Sequence, residues 1–268
     1  MIENDLSQTG ITLAIGLVAV VLFMATGLFL ARRQQKLTVV DTMWPLGFVL
    51  VAFVSAIVAG RGQADADLRW FLFGLVAIWG GRLAWYLHGR NSKGPEDPRY
   101  AELAEKDGRS FAQVALTRVF LPQGIAMYLV ALPLMVGSNN QTISTPLAWI
   151  GAAVWLLGFV FESVGDAQLK KFKADPDNKG QLMDQGLWRY TRHPNYFGDA
   201  CVWAGLWIMV AGSLPGLLTV ISPVAMAVFL TKVTGASLNE KGMKRSKPGY
   251  DEYARRTSGF IPWFPKKA

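Results

Sequence analysis

Residues 200–231 read ACVWAGLWIMVAGSLPGLLTVISPVAMAVFLT, 32 positions without a charge. One membrane-crossing helix needs about 20 apolar residues, so a single span cannot use the whole run. Ser213, Leu214, Pro215 and Gly216 stand in its middle, a combination that favours a turn. We read two spans joined by a tight hairpin, and this division fixes the parity of the whole chain.

Five more apolar blocks lie upstream, at 11–31, 39–60, 68–88, 119–137 and 146–165. They contain Asp41, Arg82 and Glu162 as isolated charges, with Arg69 at the edge of the third, and Pro122 and Pro133, which bilayer helices tolerate where neighbours satisfy the backbone. The chain is 51% hydrophobic and 17% charged over 268 residues, and its apolar residues are concentrated in blocks, which excludes an ordinary cytoplasmic enzyme. A cleaved signal peptide wants a basic start, but no Lys or Arg precedes residue 11, so the first block reads as a retained span. The expectation is an all-α polytopic membrane protein of seven spans, a single membrane domain over 1–268.

Counting Lys and Arg by segment tests this division independently of hydropathy. The segments after spans 1, 3, 5 and 7 hold 22, and the alternate connections hold only Arg61 and Arg69. That asymmetry predicts an outside N-terminus and a cytoplasmic C-terminus, with a bacterial inner membrane as the expected location. Orientation and anionic-lipid contact account for most of the net charge of +8, so nucleic acid is not an expected partner. Cys201 is the only cysteine, which rules out an intramolecular disulfide, and with His88 and His193 as the only histidines no metal site is expected. The long polar segments all fall on the cytoplasmic side, and no internal repeat suggests a transporter. This pattern suits an enzyme that takes a water-soluble reagent from the cytoplasm and a hydrophobic substrate from the bilayer.

Three motifs could carry chemistry. Glu162, Asp166 and Lys170 recur every four residues, one row on a helix face. The row reads either as a solvated ladder or as part of a site, because a carboxylate just after the apolar run 155–161 needs a partner or a cavity. Next, residues 186–199 read GLWRYTRHPNYFGD, with Arg189, Tyr190, Arg192, His193, Asn195 and Tyr196 immediately before an apolar helix and Asp199 just inside it. Arginine forks suit phosphate, aromatic faces suit a purine or nicotinamide ring, and Asn suits a ribose or amide. The same composition also fits an interfacial belt anchoring a helix end. Finally, Tyr250, Tyr253 and Arg256 lie in a short amphipathic stretch followed by Phe260, Ile261, Pro262 and Trp263, either a pocket cover or a surface anchor.

Taken in order, Glu162-x-x-x-Asp166, the Arg-His-Pro-Asn-Tyr-Phe-Gly core, Tyr250-x-x-Tyr253 and Phe260-Ile261-Pro262 resemble the C-terminal region of the steroid 5-alpha-reductase superfamily. The chain most resembles its DUF1295 branch. Over spans 1 to 4, Asp41, Trp44 and the stretch 95–100 fit the DUF1295 pattern only. The resemblance implies a seven-helix bundle that holds NADPH in a cytoplasmic cavity and passes hydride to a carbon–carbon double bond of a lipid. On it, Asp166 and Asn195 match cofactor-binding positions, Asp199 stands where the reductases carry Glu, and Tyr250 and Tyr253 fall in their aromatic C-terminal region.

Two readings follow from these motifs. For a reductase, Glu162, Lys170, Lys173, Arg189, Tyr190, Arg192, His193, Tyr196 and Arg256 join Asp166, Asn195, Asp199, Tyr250 and Tyr253 around the cofactor. Tyr86 and Asp41 are its candidate proton donors, although each can equally be structural, Asp41 as a helix cap or as a partner of Arg82. On this reading spans 1 to 4 (residues 11–137) face the lipid substrate and residues 146–268 face the cofactor. Arg192-His193-Pro194, with Tyr196 and Gly198, is also similar to isoprenylcysteine carboxyl methyltransferases. For an S-adenosylmethionine-dependent lipid methyltransferase, His193 and Glu240 become central. A lipid-binding subunit without catalysis is the third possibility.

Overall fold

The computed structural model describes residues 2–91, 96, 100, 108–233 and 236–266. Its helices are α1 (Leu6–Gln34), α2 (Val39–Ala59), α3 (Ala66–Asn91), α4 (Phe111–Gly137), α5 (Thr145–Ala174), α6 (Pro194–Val210), α7 (Leu214–Lys232), α8 (Ala236–Ser246) and α9 (Tyr250–Arg256). Six of them, α1 to α5 and α7, are long and apolar enough to cross a membrane. The chain is therefore a multi-pass membrane protein. The predicted break is present: α6 stops at Val210, and α7 starts at Leu214 after Ser213, whose hydroxyl accepts from the Gly216 amide at 3.0 Å. Between them α6 has 17 residues, about 25 Å of rise, the short end of what spans a hydrocarbon core.

Most helices outrun the apolar blocks that predict them, because capping and polar end turns extend a helix beyond its lipid-facing part. Asp5 caps α1 by accepting from the Gln8 amide, and α1 ends at Gln35, a left-handed residue at φ 52°. Ser110 and Gln113 form a capping box ahead of α4, which starts eight residues before the apolar run does. Helix α4 takes a π turn over Ala115–Phe120 and breaks at Ala131, two residues before Pro133, which has no N–H to give.

Two compact units divide the chain. The first comprises Met1–Thr145 and Val210–Ile221. Its helices pack closely through glycines: a Cβ on Gly80 of α3 would lie 2.9 Å from the Pro45 carbonyl of α2, and Phe48 meets Trp79 edge-on at the same level. At one end a buried polar network closes the unit. Asn140 donates to the Val210 carbonyl at 3.1 Å and accepts from Ser213 Oγ at 2.7 Å and from Asn4 Nδ2 at 2.9 Å. Asn139 exchanges hydrogen bonds with Thr12, and the amides of Ile2, Asp5 and Gln141 donate to Gly212, Asn139 and Glu3.

The second unit comprises Pro146–Met209 and Ser222–Ala268. Its centre is a glycine seam between α5 and α6. Gly151, Gly158 and Gly165 recur every seven residues on α5, opposite Gly198 and Gly205 on α6. A Cβ on Gly158 would lie 2.5 Å from the Gly198 carbonyl, and one on Gly205 would lie 2.6 Å from the Gly151 carbonyl. Small residues at such contacts let membrane helices approach backbone to backbone, where dispersion replaces the missing hydrophobic drive.

Candidate active site

The seam places polar groups where they would otherwise be costly. On the buried stripe of α5, Gly151, Trp155 and Gly158 are followed by Glu162 and Asp166, only 2% and 3% exposed. Asn195, in the first turn of α6, donates its amide to Asp166 Oδ1 at 3.2 Å, and its own Oδ1 accepts from the Tyr196 amide. Asp199, one turn further along α6, is also buried. Gly198 brings the α6 backbone against the Glu162 amide and Cβ, so glycine spacing and carboxylate placement are one feature. Lys170 and Lys173 continue the α5 row outward and are exposed.

Residues 186–193 form a compact shelf at the end of α5. Gly186 takes φ +59°, and a Cβ there would run into the side-chain amide of Gln168, which accepts from the Leu187 amide at 2.9 Å. Trp188 is buried and donates its indole N–H to the Gly165 carbonyl at 3.1 Å, while its own carbonyl accepts from the Tyr253 hydroxyl at 2.6 Å. Shelf, α5 and α9 are thus tied at one residue. Arg189 and Tyr190 face outward.

Arg192 is spent on protein groups. Its Nε donates to Glu240 Oε1 at 2.8 Å, and Nη1 donates to the Ala254 and Thr257 carbonyls at the end of α9, both at 2.9 Å. His193 Nε2 lies 3.0 Å from the same Glu240 oxygen, and the imidazole stacks on Tyr196 at a centroid distance of 5.3 Å. The hydrogen bond from His193, with Arg192 beside it, holds the Glu240 carboxyl down to about 2 against the opposing effect of burial. Burial and the Glu240 charge push the Tyr250 phenol up to about 12, and burial raises that of Tyr253 as well. In this shelf Arg192 positions α8 and α9 rather than presenting an open fork.

A cavity of about 670 Å³ lies outside this knot, lined by Asp184, Arg189, Arg256, Phe264 and Lys266 among others. Arg256 is paired with Asp184 at 2.5 Å. Asp184 and Lys266 were not singled out by the sequence reading. Both sit in short polar stretches without periodicity, and only the return of the tail brings them together.

In the first unit, Asp41 opens α2 and collects three donors. Tyr100 OH donates to Oδ1 at 2.8 Å, while Asn91 Nδ2 and Arg90 Nη2 reach Oδ2 at 3.2 and 3.3 Å. Arg90 is an ion-pair partner of Asp41 among the described residues. Glu96 accepts from the Leu37 and Thr38 amides just before α2. Tyr86 is half-buried on α3. The Tyr100 and Glu96 contacts span 59 and 58 residues, a separation from which no local pattern could have foretold them.

Fold and site together define a helical membrane protein with buried carboxylates along α5 and in the first turns of α6. A family model described as a protein of unknown function, DUF1295, matches residues 28–257, and the chain belongs to that family. It is 23% identical over 250 residues to an uncharacterized protein of Schizosaccharomyces pombe, covering 83% of this chain and 72% of that one. It is also 31% identical over 80 residues to a probable O-methyltransferase of Ustilaginoidea virens, covering 30% of this chain and 28% of that relative's length. No solved structure matches.

Proposed function

We propose that the chain is a membrane-embedded oxidoreductase that uses NADPH to reduce a carbon–carbon double bond in a hydrophobic, lipid-like substrate. The α5–α6 row carries the reading. Asp166, bonded to Asn195, and Asp199 supply buried acceptors and an amide suited to ribose hydroxyls and a carboxamide. Lys170 and Lys173 continue the same α5 face outward and supply positive charge suited to phosphate. Buried hydrogen-bonding groups at the inner end and cations at the outer end follow the order of ribose and phosphate along a dinucleotide. When bound, NADPH supplies hydride. The chain's part is to orient it, to exclude water through the glycine seam, and to deliver a proton, for which Tyr86 is the candidate that carries an O–H, Asp41 being engaged as an acceptor by Tyr100, Asn91 and Arg90.

A second reading, an S-adenosylmethionine-dependent lipid methyltransferase, is favoured by one geometry and one relative. His193 and Glu240 meet at 3.0 Å, and the Ustilaginoidea virens relative is a probable O-methyltransferase. That cofactor has no phosphate and would make no use of Lys170 and Lys173, so we place it second.

For topology we propose seven spans, with α6 as the short one, an outside N-terminus and a cytoplasmic C-terminus, in a bacterial inner membrane. Reporter fusions after Ala174 and after Val210 should report opposite sides.

Thermal unfolding of the purified full chain in detergent, with NADPH or S-adenosylmethionine at millimolar concentration, separates the two cofactors. NADPH is expected to raise the midpoint and S-adenosylmethionine to leave it unchanged. The reverse pattern selects the methyltransferase, and a midpoint unmoved by either defeats both.

A further inference from the structure

We propose that the cavity between residues 184–189 and the C-terminal tail is a headgroup site for an anionic phospholipid. Its height comes first. Trp188 is bonded to the carbonyl of Gly165, the last residue of the apolar block 146–165. The neighbouring Arg189 therefore stands where hydrocarbon gives way to headgroups, the depth at which aromatic belts and cations concentrate.

The tail is the second observation. Its backbone is fixed: Thr191 Oγ1 donates to the Phe260 carbonyl at 2.8 Å, the Trp263 amide to Tyr190 at 3.0 Å, and the Lys266 amide to Arg256 at 2.9 Å. Yet Ile261, Trp263 and Phe264 remain 65%, 71% and 77% exposed. A bonded segment that displays three large apolar side chains is a presented surface.

Charge is the third. Arg189, Arg256 and Lys266 face one carboxylate, Asp184, which holds Arg256 in place and leaves the lining net positive. Phe264 belongs to both the cavity lining and the apolar patch, so cations and hydrocarbon surface meet at one side chain.

An amphiphile with an anionic phosphodiester head and acyl tails uses both halves. A soluble phosphate or nucleotide would engage the cations and leave Ile261 and Trp263 in water. The proposal does not depend on which cofactor the chain uses, since Asp166, Asn195 and Asp199 take no part. It reassigns Arg189 and Arg256, read from the sequence as cofactor cations, to the lipid.

The test is lipid titration of the detergent-purified full chain, followed by native mass spectrometry and thermal unfolding. The probes are phosphatidylglycerol, phosphatidylcholine, inorganic phosphate and NADPH. Phosphatidylglycerol is expected to bind at least about tenfold tighter than phosphatidylcholine, and R189Q/K266Q to weaken it roughly thirtyfold, about fivefold per cation. I261S/W263S should weaken both lipids and leave NADPH stabilisation intact. Both pairs are exposed, and an unchanged gel-filtration profile checks the fold. Equal binding of the two lipids, or phosphatidylglycerol binding unaffected by R189Q/K266Q, overturns the proposal. Displacement of the bound lipid by inorganic phosphate or NADPH overturns it too, and returns the cavity to a soluble ligand.

Discussion

Replacing Glu240 with Gln removes the charge shared by Arg192 and His193 while keeping the shape of the side chain. The carboxyl is held at about 2 rather than 4.5, a displacement that corresponds to about 3 kcal/mol at roughly 1.4 kcal/mol per pH unit. The side chain is 28% exposed, and screening by water brings the expected loss at neutral pH to about 2 kcal/mol. For a chain of this size the midpoint of thermal unfolding should fall by about 4–8 °C. Because the folded pKa is depressed, the stabilisation is complete above about pH 4.5 and disappears as pH falls toward 2. Tryptophan-fluorescence melts of the full chain in detergent at pH 7, 5, 4 and 3 should therefore show the wild-type and E240Q midpoints converging on acidification. A gap of constant size from pH 7 to 3 would show that the carboxylate does not stabilise the shelf through its charge.

Three further outcomes follow from particular contacts. Gly198→Ala puts a Cβ 2.5 Å from the Gly158 carbonyl and should sharply reduce the yield of folded protein, whereas Gly74→Ala, with nothing within 4 Å, should be neutral in the same purification. Asn140→Ala strands the Ser213 hydroxyl and the Val210 carbonyl, while Asn4 keeps its bond to the Val136 carbonyl, and at about 1–3 kcal/mol for each buried orphan should lower the unfolding midpoint at least as much as E240Q does. Asn195→Ala should abolish cofactor-induced stabilisation, and loss of its bond to buried Asp166 should lower the unliganded midpoint by an amount corresponding to about 1–3 kcal/mol; retained stabilisation would remove Asn195 from the binding site.

The helices were legible because hydrophobic runs of bilayer length and a turn signal at Ser213–Gly216 are local properties. Their ends were less so, since the residues that cap α4 and extend α5 to Ala174 are polar and carry no hydropathy signal. The seam could have been found: Gly151, Gly158 and Gly165, with Gly198 and Gly205, keep a seven-residue spacing in plain sight. Position in sequence brought Asp166 and Asn195 under suspicion, and the structure joins them. It could not show that Arg192 would be consumed by Glu240 and two carbonyls, because those partners lie 48 to 65 residues away. Composition distinguishes an arginine that binds phosphate from one that staples helices only when the acceptors are known.

The buried amide of Asn140 also sets an order of assembly. Its partners at Val210 and Ser213 belong to the same unit but are made after α5 and α6. A nascent chain released through Thr145 would hold four membrane helices and an unsatisfied amide at their closed end. The first unit is complete only when residues through 221 have been made, so cutting the gene at the 145/146 boundary should yield two fragments that mature only when produced together.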